Sequence, residues 1–216
     1  MAAARDAKDQ LLDVAAESLK KKREDLEIQD GQIIIKEEKR SFSFKEILSR
    51  ASNPIVGRGS GKPPQNVALL TFGAHFAEVA VDTRTGKVEV VKLTAAHDVG
   101  RAINLLGCEN QIQGGAIMGM GFGLMERLYL DGQTGICLNP NMVDFKVPSL
   151  LDVPIVDPII VEPEDPYGPF GAKGVGEPPY SLPAPAIANA IYNAVGVRCN
   201  EIPINIRSIL DGLEKV

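Results

Sequence analysis

Tryptophan is absent from the 216 residues, histidine occurs only at His75 and His97, and cysteine only at Cys108, Cys137 and Cys199. An odd number of unevenly spaced thiols builds neither a disulfide framework nor a CxxC zinc site. Two histidines provide poorly for classical metal sites or Ser-His-Asp chemistry. Basic residues are outnumbered 23 to 28 by acidic ones, leaving a net charge of -5. That balance offers no electrostatic reason to bind nucleic acid or an anionic membrane. No apolar run approaches the ~20 residues of a membrane helix. The opening Met1-Ala-Ala-Ala-Arg5-Asp6 meets charge too early for a secretory signal. The expectation is a soluble, cytoplasmic protein. If it is an enzyme, a cofactor or a second chain must bring much of the chemistry.

Glycine and proline, by contrast, are plentiful at 21 and 15, and crowd the second half; hydrophobic residues make up 44%. Apolar positions at helical spacing predict an amphipathic helix over residues 6–22. Asp30-Gly31 between Leu26-Glu-Ile28 and Ile33-Ile-Ile35 predicts a tight hairpin. Ser43-Phe-Lys-Glu46 is a capping box opening a short helix. Residues 53–64, rich in Gly and Pro, read as an exposed connector between a small N-terminal unit (1–65) and a main body (66–216). A long hairpin follows, with Val79 and Val81 facing Val88 and Val90 across the Asp82–Gly86 turn. Then come a helix over about 110–126, a second hairpin over 128–138 and proline-rich loops around a strand near 159–162. A helix opens at Pro183, and a short strand near Ile204 precedes a last helix from Arg207. Hairpins and separate helices without regular βαβ alternation define an α+β fold.

Two segments have the makings of a site. The helix beginning at Asn110 carries glycines at 114, 115, 119, 121 and 123, each costing ~0.5–1 kcal/mol relative to Ala in a helix interior. Close approach of another backbone, or of a large planar ligand, would offset that cost. Gln111, expected in the first turn, could donate and accept toward a heteroaromatic group, or simply face solvent beside a tightly packed helix. The second segment is Tyr167-Gly-Pro-Phe-Gly-Ala-Lys-Gly-Val-Gly176-Glu177-Pro-Pro179. Its glycines permit close backbone approach, and Pro178 favours an extended backbone at Glu177. Glu177 is therefore either a carboxylate held at a fixed angle, able to act as general base, or a solvated acid on a turn. Residues 57–62 lack the spacing of a phosphate loop. Adjacent His97 and Asp98 point to opposite strand faces, so His97 reads as structural.

In order along the chain, Gly73-Ala-His-Phe-Ala-Glu-Val-Ala-Val-Asp82, Ala96-His-Asp-Val-Gly-Arg-Ala-Ile-Asn104, Gln111-Ile-Gln-Gly-Gly-Ala-Ile-Met-Gly-Met-Gly121 and Gly168-Pro-Phe-Gly-Ala-Lys-Gly-Val-Gly-Glu-Pro-Pro179 resemble a known family. It is the C-terminal part of the molybdenum-binding subunit of xanthine dehydrogenases and aldehyde oxidases. The resemblance implies a molybdopterin-binding domain and oxidative hydroxylation of an aldehyde or N-heteroaromatic substrate. In that family a glutamate acts as base on a Mo–OH group, hydride passes to a sulfido ligand, and electrons leave through iron–sulfur clusters to FAD. Carried over, Glu177 is the base, Gln111 hydrogen-bonds the pterin and Gly176 lies against the cofactor. The cofactor brings the metal's ligands, so no protein metal ligand is expected here.

The family's other pterin contacts lie in segments not found in this sequence, and Leu105 stands where a proline commonly follows Ile-Asn. The resemblance thus implies a piece of a multi-chain oxidoreductase, inactive alone. It shares its molybdenum cofactor with a larger molybdopterin-binding subunit and works with iron–sulfur and FAD subunits. Two alternatives remain at this point: an inactive truncated or gene-fragment module without cofactor, and a small-molecule module using the glycine-rich loop as an anion nest.

Overall fold

Helical, alternating and glycine-punctuated stretches give six helices and six strands among the described residues of the computed structural model, which are 1–51, 53–61, 65–68 and 70–214. Lys62, Pro63 and Pro64 of the expected connector lie outside them. The chain forms two units, Met1–Gln65 and Asn66–Val216.

In the smaller unit, α1 (Ala2–Leu19) packs Leu11, Leu12 and Ala15 on a three-stranded antiparallel sheet, β1 (Leu26–Gln29), β2 (Gln32–Ile35) and β3 (Arg40–Ser43). The β1–β2 turn places Asp30 at φ 48° and Gly31 at φ 75°, the pair of positive values that a two-residue hairpin requires. Ser43 then caps α2 (Phe44–Leu48): its hydroxyl accepts from Glu46 N–H, and Glu46 accepts from Ser43 N–H at 2.7 Å. The segment after Asn53 is not a free connector. Gln10 bonds both N–H and C=O of Val56, and Asp6 accepts from Arg58 N–H at 2.7 Å. A β-carbon at Gly57 would strike the Ala3 carbonyl, so glycine there serves close contact with α1 rather than looseness.

The larger unit is built on β4 (Gly73–Val81), β5 (Val88–Asp98) and β6 (Ile155–Val161), in the order β4-β5-β6. β4 and β5 are antiparallel, with Val79 opposite Val90 and Val81 opposite Val88. β6 runs parallel to β5. This parallel pairing departs from a pure hairpin pattern, because a parallel return needs a long crossover, and α3 (Leu105–Leu124) lies within it. One sheet face buries Val90 and Leu93 against Ala116 and Met120 of α3, Ile187 and Ile191 of α5 (Pro183–Val195), and Ile209 of α6 (Ile206–Leu213). Between α3 and α5 in the chain comes α4 (Pro178–Ser181), a single turn.

Several expectations are corrected. α3 starts at Leu105, not near Asn110, because the Asn104 side chain caps it by accepting from Gly107 N–H at 2.9 Å. Leu105 thus occupies the first helical position, where proline is also tolerated. The second hairpin forms as expected but without regular strands: Leu130 bridges Cys137, Asp131 N–H reaches Ile136 C=O at 2.8 Å, and Leu138 N–H reaches Tyr129 C=O at 2.7 Å. No strand forms near Ile204; its N–H makes one bond to Gly123 C=O at 2.7 Å.

Candidate functional site

The glycines of α3 sort by face. A β-carbon at Gly115 would lie 2.7 Å from Pro179 Cβ, and one at Gly123 3.0 Å from Ala184 Cβ; one at Gly119 would collide with the Tyr180 carbonyl and Pro183. These three glycines, four residues apart, seat the α4–α5 backbone on α3. Packing therefore accounts for them, as one of the two readings held. Gly114 is different: it is exposed, and nothing lies within 4 Å of its β-carbon position. Gln111, three residues earlier, shares that open side and is exposed. Because α3 begins early, Gln111 sits in the second turn rather than the first.

The loop that carries Glu177 is anchored at both ends. Upstream, Arg101 N–H donates to Gly171 C=O at 2.7 Å and Lys173 N–H to Val99 C=O at 2.9 Å, laying the loop against the end of β5. Gly100, at φ 57°, has room for this only because it lacks a side chain, since a β-carbon would strike Gly171 C=O. Lys173 Nζ lies 2.8 Å from Asp98 Oδ2, 3.2 Å from Leu70 C=O and 3.6 Å from Asp165 Oδ2. The three charged side chains are only 10–15% exposed. The hydrogen bond to Asp98 raises the lysine's pKa, and the two carboxylates' charge adds to this. Backbone N–H donors of Gly168 and Tyr167 hold the Asp165 carboxyl below its usual value. Downstream, buried Pro179 docks on Gly115.

Between these anchors a β-carbon on Gly174 would meet nothing within 4 Å, and one on Gly176 would lie 3.8 Å from Gln111 Oε1. The fold thus brings the glycine-rich loop and the Gln111 amide together. Glu177 follows immediately, as the residue preceding α4. Its backbone is helical (φ -96°, ψ -37°), not extended. The usual pre-proline bias yields to packing, since Pro178 opens a turn whose next residue must reach Gly115. Glu177 is exposed, so this chain by itself does not enclose it in a water-poor cleft.

His97, near the end of β5, is not alone. It is buried, and its Nε2 lies 2.7 Å from Nε2 of His75, with both Nδ1 atoms buried and without partners. The sequence reading missed this pair, although the two histidines lie on the same sheet face in the β4–β5 register. It also missed the Lys173–Asp98–Asp165 cluster. Lys173 lies inside the recognised motif, but nothing local points it to an aspartate 75 positions upstream.

The exposed Gln111 amide offers donors and an acceptor beside the bare backbone of Gly176. Among the described residues, no group of three or more His, Cys, Asp or Glu is disposed to hold a metal ion. Nor is any helix among them long and apolar enough to cross a membrane.

Comparison with known proteins identifies the family. The molybdopterin cofactor-binding domain family matches residues 1–154, a span that contains Gln111 and stops short of Glu177. The xanthine dehydrogenase molybdenum-binding subunit of Escherichia coli O157:H7 is 31% identical over 210 residues, covering 94% of this chain and 28% of that protein. The aldehyde oxidoreductase molybdenum-binding subunit PaoC of Escherichia coli K12 is 40% identical over 147 residues, covering 68% of this chain and 20% of its own. Quinoline 2-oxidoreductase from Pseudomonas putida 86 superposes with a TM-score of 0.75 at 25% identity, over 97% of this chain and 28% of the other. The chain therefore spans under a third of the length of each of these relatives. By its α+β fold and its match over residues 1–154, it belongs to the molybdopterin cofactor-binding domain family of molybdenum-dependent oxidoreductases such as the xanthine dehydrogenases and aldehyde oxidoreductases.

Proposed function

We propose that this chain forms one wall of a molybdenum hydroxylase active site, completed by a larger molybdopterin-binding polypeptide. The reaction is oxidative hydroxylation of an aldehyde or an N-heteroaromatic ring, with iron–sulfur and FAD subunits carrying the electrons away. The observation that carries the reading is the meeting of Gly176 with the Gln111 amide, which puts the residue next to Glu177 beside a group suited to a pterin. When bound, the molybdenum cofactor supplies the redox centre for oxygen insertion.

The chain's own residues do the rest. Gln111, fixed on the second turn of α3, donates and accepts hydrogen bonds at the pterin edge. Gly176 offers bare backbone, so the cofactor can approach without meeting a side chain. Glu177 accepts a proton as general base, a role that requires its carboxylate within hydrogen-bond reach of the proton removed. Enclosure by the partner would remove the water that surrounds Glu177 in this chain. A water-excluded setting strengthens the electrostatic part of such a step.

The test is Glu177→Gln in the complex purified with its molybdenum-bearing partner. Glutamine keeps the shape and loses the basic oxygen. Turnover is expected to fall by about 100-fold or more, the scale of general-base catalysis, with molybdenum content unchanged by metal analysis. Full turnover in the variant would remove Glu177 from this role.

A further inference from the structure

Lys173 is the last residue before Glu177 with a polar side chain. Only Gly174, Val175 and Gly176 separate them, and a β-carbon at Gly174 would meet nothing within 4 Å. Three residues with two glycines cannot keep their own shape, since glycine gives up the most backbone freedom on ordering. Glu177 must take its position from what is fixed on either side. Downstream that is Pro179 on Gly115. Upstream it is the Lys173 ammonium together with the backbone bonds of Gly171 and Lys173 to the end of β5.

We propose that Lys173 is the positioning residue of this site, clasped by Asp98 and Asp165 so that residues 174–177 are presented to Gln111 in one register. The claim rests on the functional reading of Glu177 above. Each carboxylate divides its work. Asp98 accepts from Gly100 N–H with Oδ1 and from Lys173 with Oδ2. Asp165 accepts from Tyr167 and Gly168 N–H with Oδ1 and faces Lys173 with Oδ2. One oxygen of each shapes its own turn while the other holds the lysine, so the end of β5 and the start of the loop share one cation. The Leu70 carbonyl accepts the ammonium's second hydrogen bond at 3.2 Å, beside the one to Asp98, while Asp165 at 3.6 Å is an ion-pair partner.

The test uses isotopically labelled full-length chain and reads the nuclear Overhauser contact between the Gly176 α-protons and the Gln111 side-chain amide. Lys173→Met, of similar length but uncharged, should abolish that contact. Amide protection in α3 and α5 should stay at the wild-type level, and Lys173→Arg should restore the contact. A retained contact in Lys173→Met overturns the proposal. So does its loss together with α3 and α5 protection, which would mean general destabilisation. Should Lys173→Met fail to accumulate, Asp165→Asn is read the same way, since it weakens one of the two pairs and leaves Asp98 in place.

In the molybdenum-bearing complex, Lys173→Met should lower kcat by roughly 10- to 100-fold, as expected for a misplaced catalytic group, with metal content kept. Glu177→Gln run alongside separates the two claims. An inactive Glu177→Gln beside a fully active Lys173→Met overturns the Lys173 proposal alone. A fully active Glu177→Gln removes the reading beneath it, and the proposal with it.

Discussion

Gly119 and Gly114 occupy the same helix but opposite situations, so replacing each by alanine isolates a packing energy. In an α-helix interior the exchange gains about 1 kcal/mol of propensity at either position, and this contribution cancels in the comparison. At Gly114 the new methyl meets nothing within 4 Å. At Gly119 it collides with the Tyr180 carbonyl and would lie 2.7 Å from Pro183 Cγ. Neither neighbour is the far end of a flexible side chain, so the α4–α5 junction has to move off α3. Forcing a methylene-sized group into a packed contact costs about 1–3 kcal/mol. For a unit of about 150 residues this separates the two midpoints by roughly 2–12 °C. Scanning calorimetry of the full chain, following the transition of the larger unit, checks it. Gly114→Ala should melt at or above wild type, and Gly119→Ala clearly below Gly114→Ala. Equal midpoints would mean that the glycine stripe is not what seats α4 and α5, and the account of how Glu177 is brought beside α3 would fail.

Two other outcomes follow from local geometry. Ser43→Ala removes the hydroxyl half of the capping box on α2 and should destabilise the smaller unit by about 1 kcal/mol, seen as earlier loss of amide protection there; unchanged protection would refute the assignment. The histidine pair predicts a pH dependence with a definite sign. Burial, and then the neighbouring His97, pushes His75 down to about 4, and burial also lowers His97. An unfolded histidine titrates near 6.5. Between those values the unfolded chain binds more protons, so stability is full above pH ~6.5 and declines as pH falls toward 4. The urea midpoint of the larger unit should drop from pH 7 to pH 5, and by less in His75→Gln. A midpoint that rises on acidification would contradict the pair's geometry.

What was legible in the sequence was whatever depends on near neighbours. Asp30-Gly31 names its own turn because two consecutive positive φ values suit few other residue pairs. Ser43 and Glu46 cap each other three residues apart. The valines of β4 and β5 find their register because one short turn joins them. The motif carrying Glu177 and the one carrying Gln111 were each recognisable for the same reason, as short strings with a required local chemistry.

Tertiary structure alone decided how those strings meet. The glycines divided into a packed stripe and an open face only once α4 and α5 lay against the helix. Glu177 took a helical backbone against its local preference because Pro179 had to reach Gly115. Lys173 found Asp98 across 75 residues, and His97 found His75 through a strand register. The physical reason is common to all of these. Backbone propensity acts over one or two turns of chain and is worth about a kilocalorie per residue, whereas a half-buried ion pair or a close backbone contact is enforced by whatever distant segment the fold delivers.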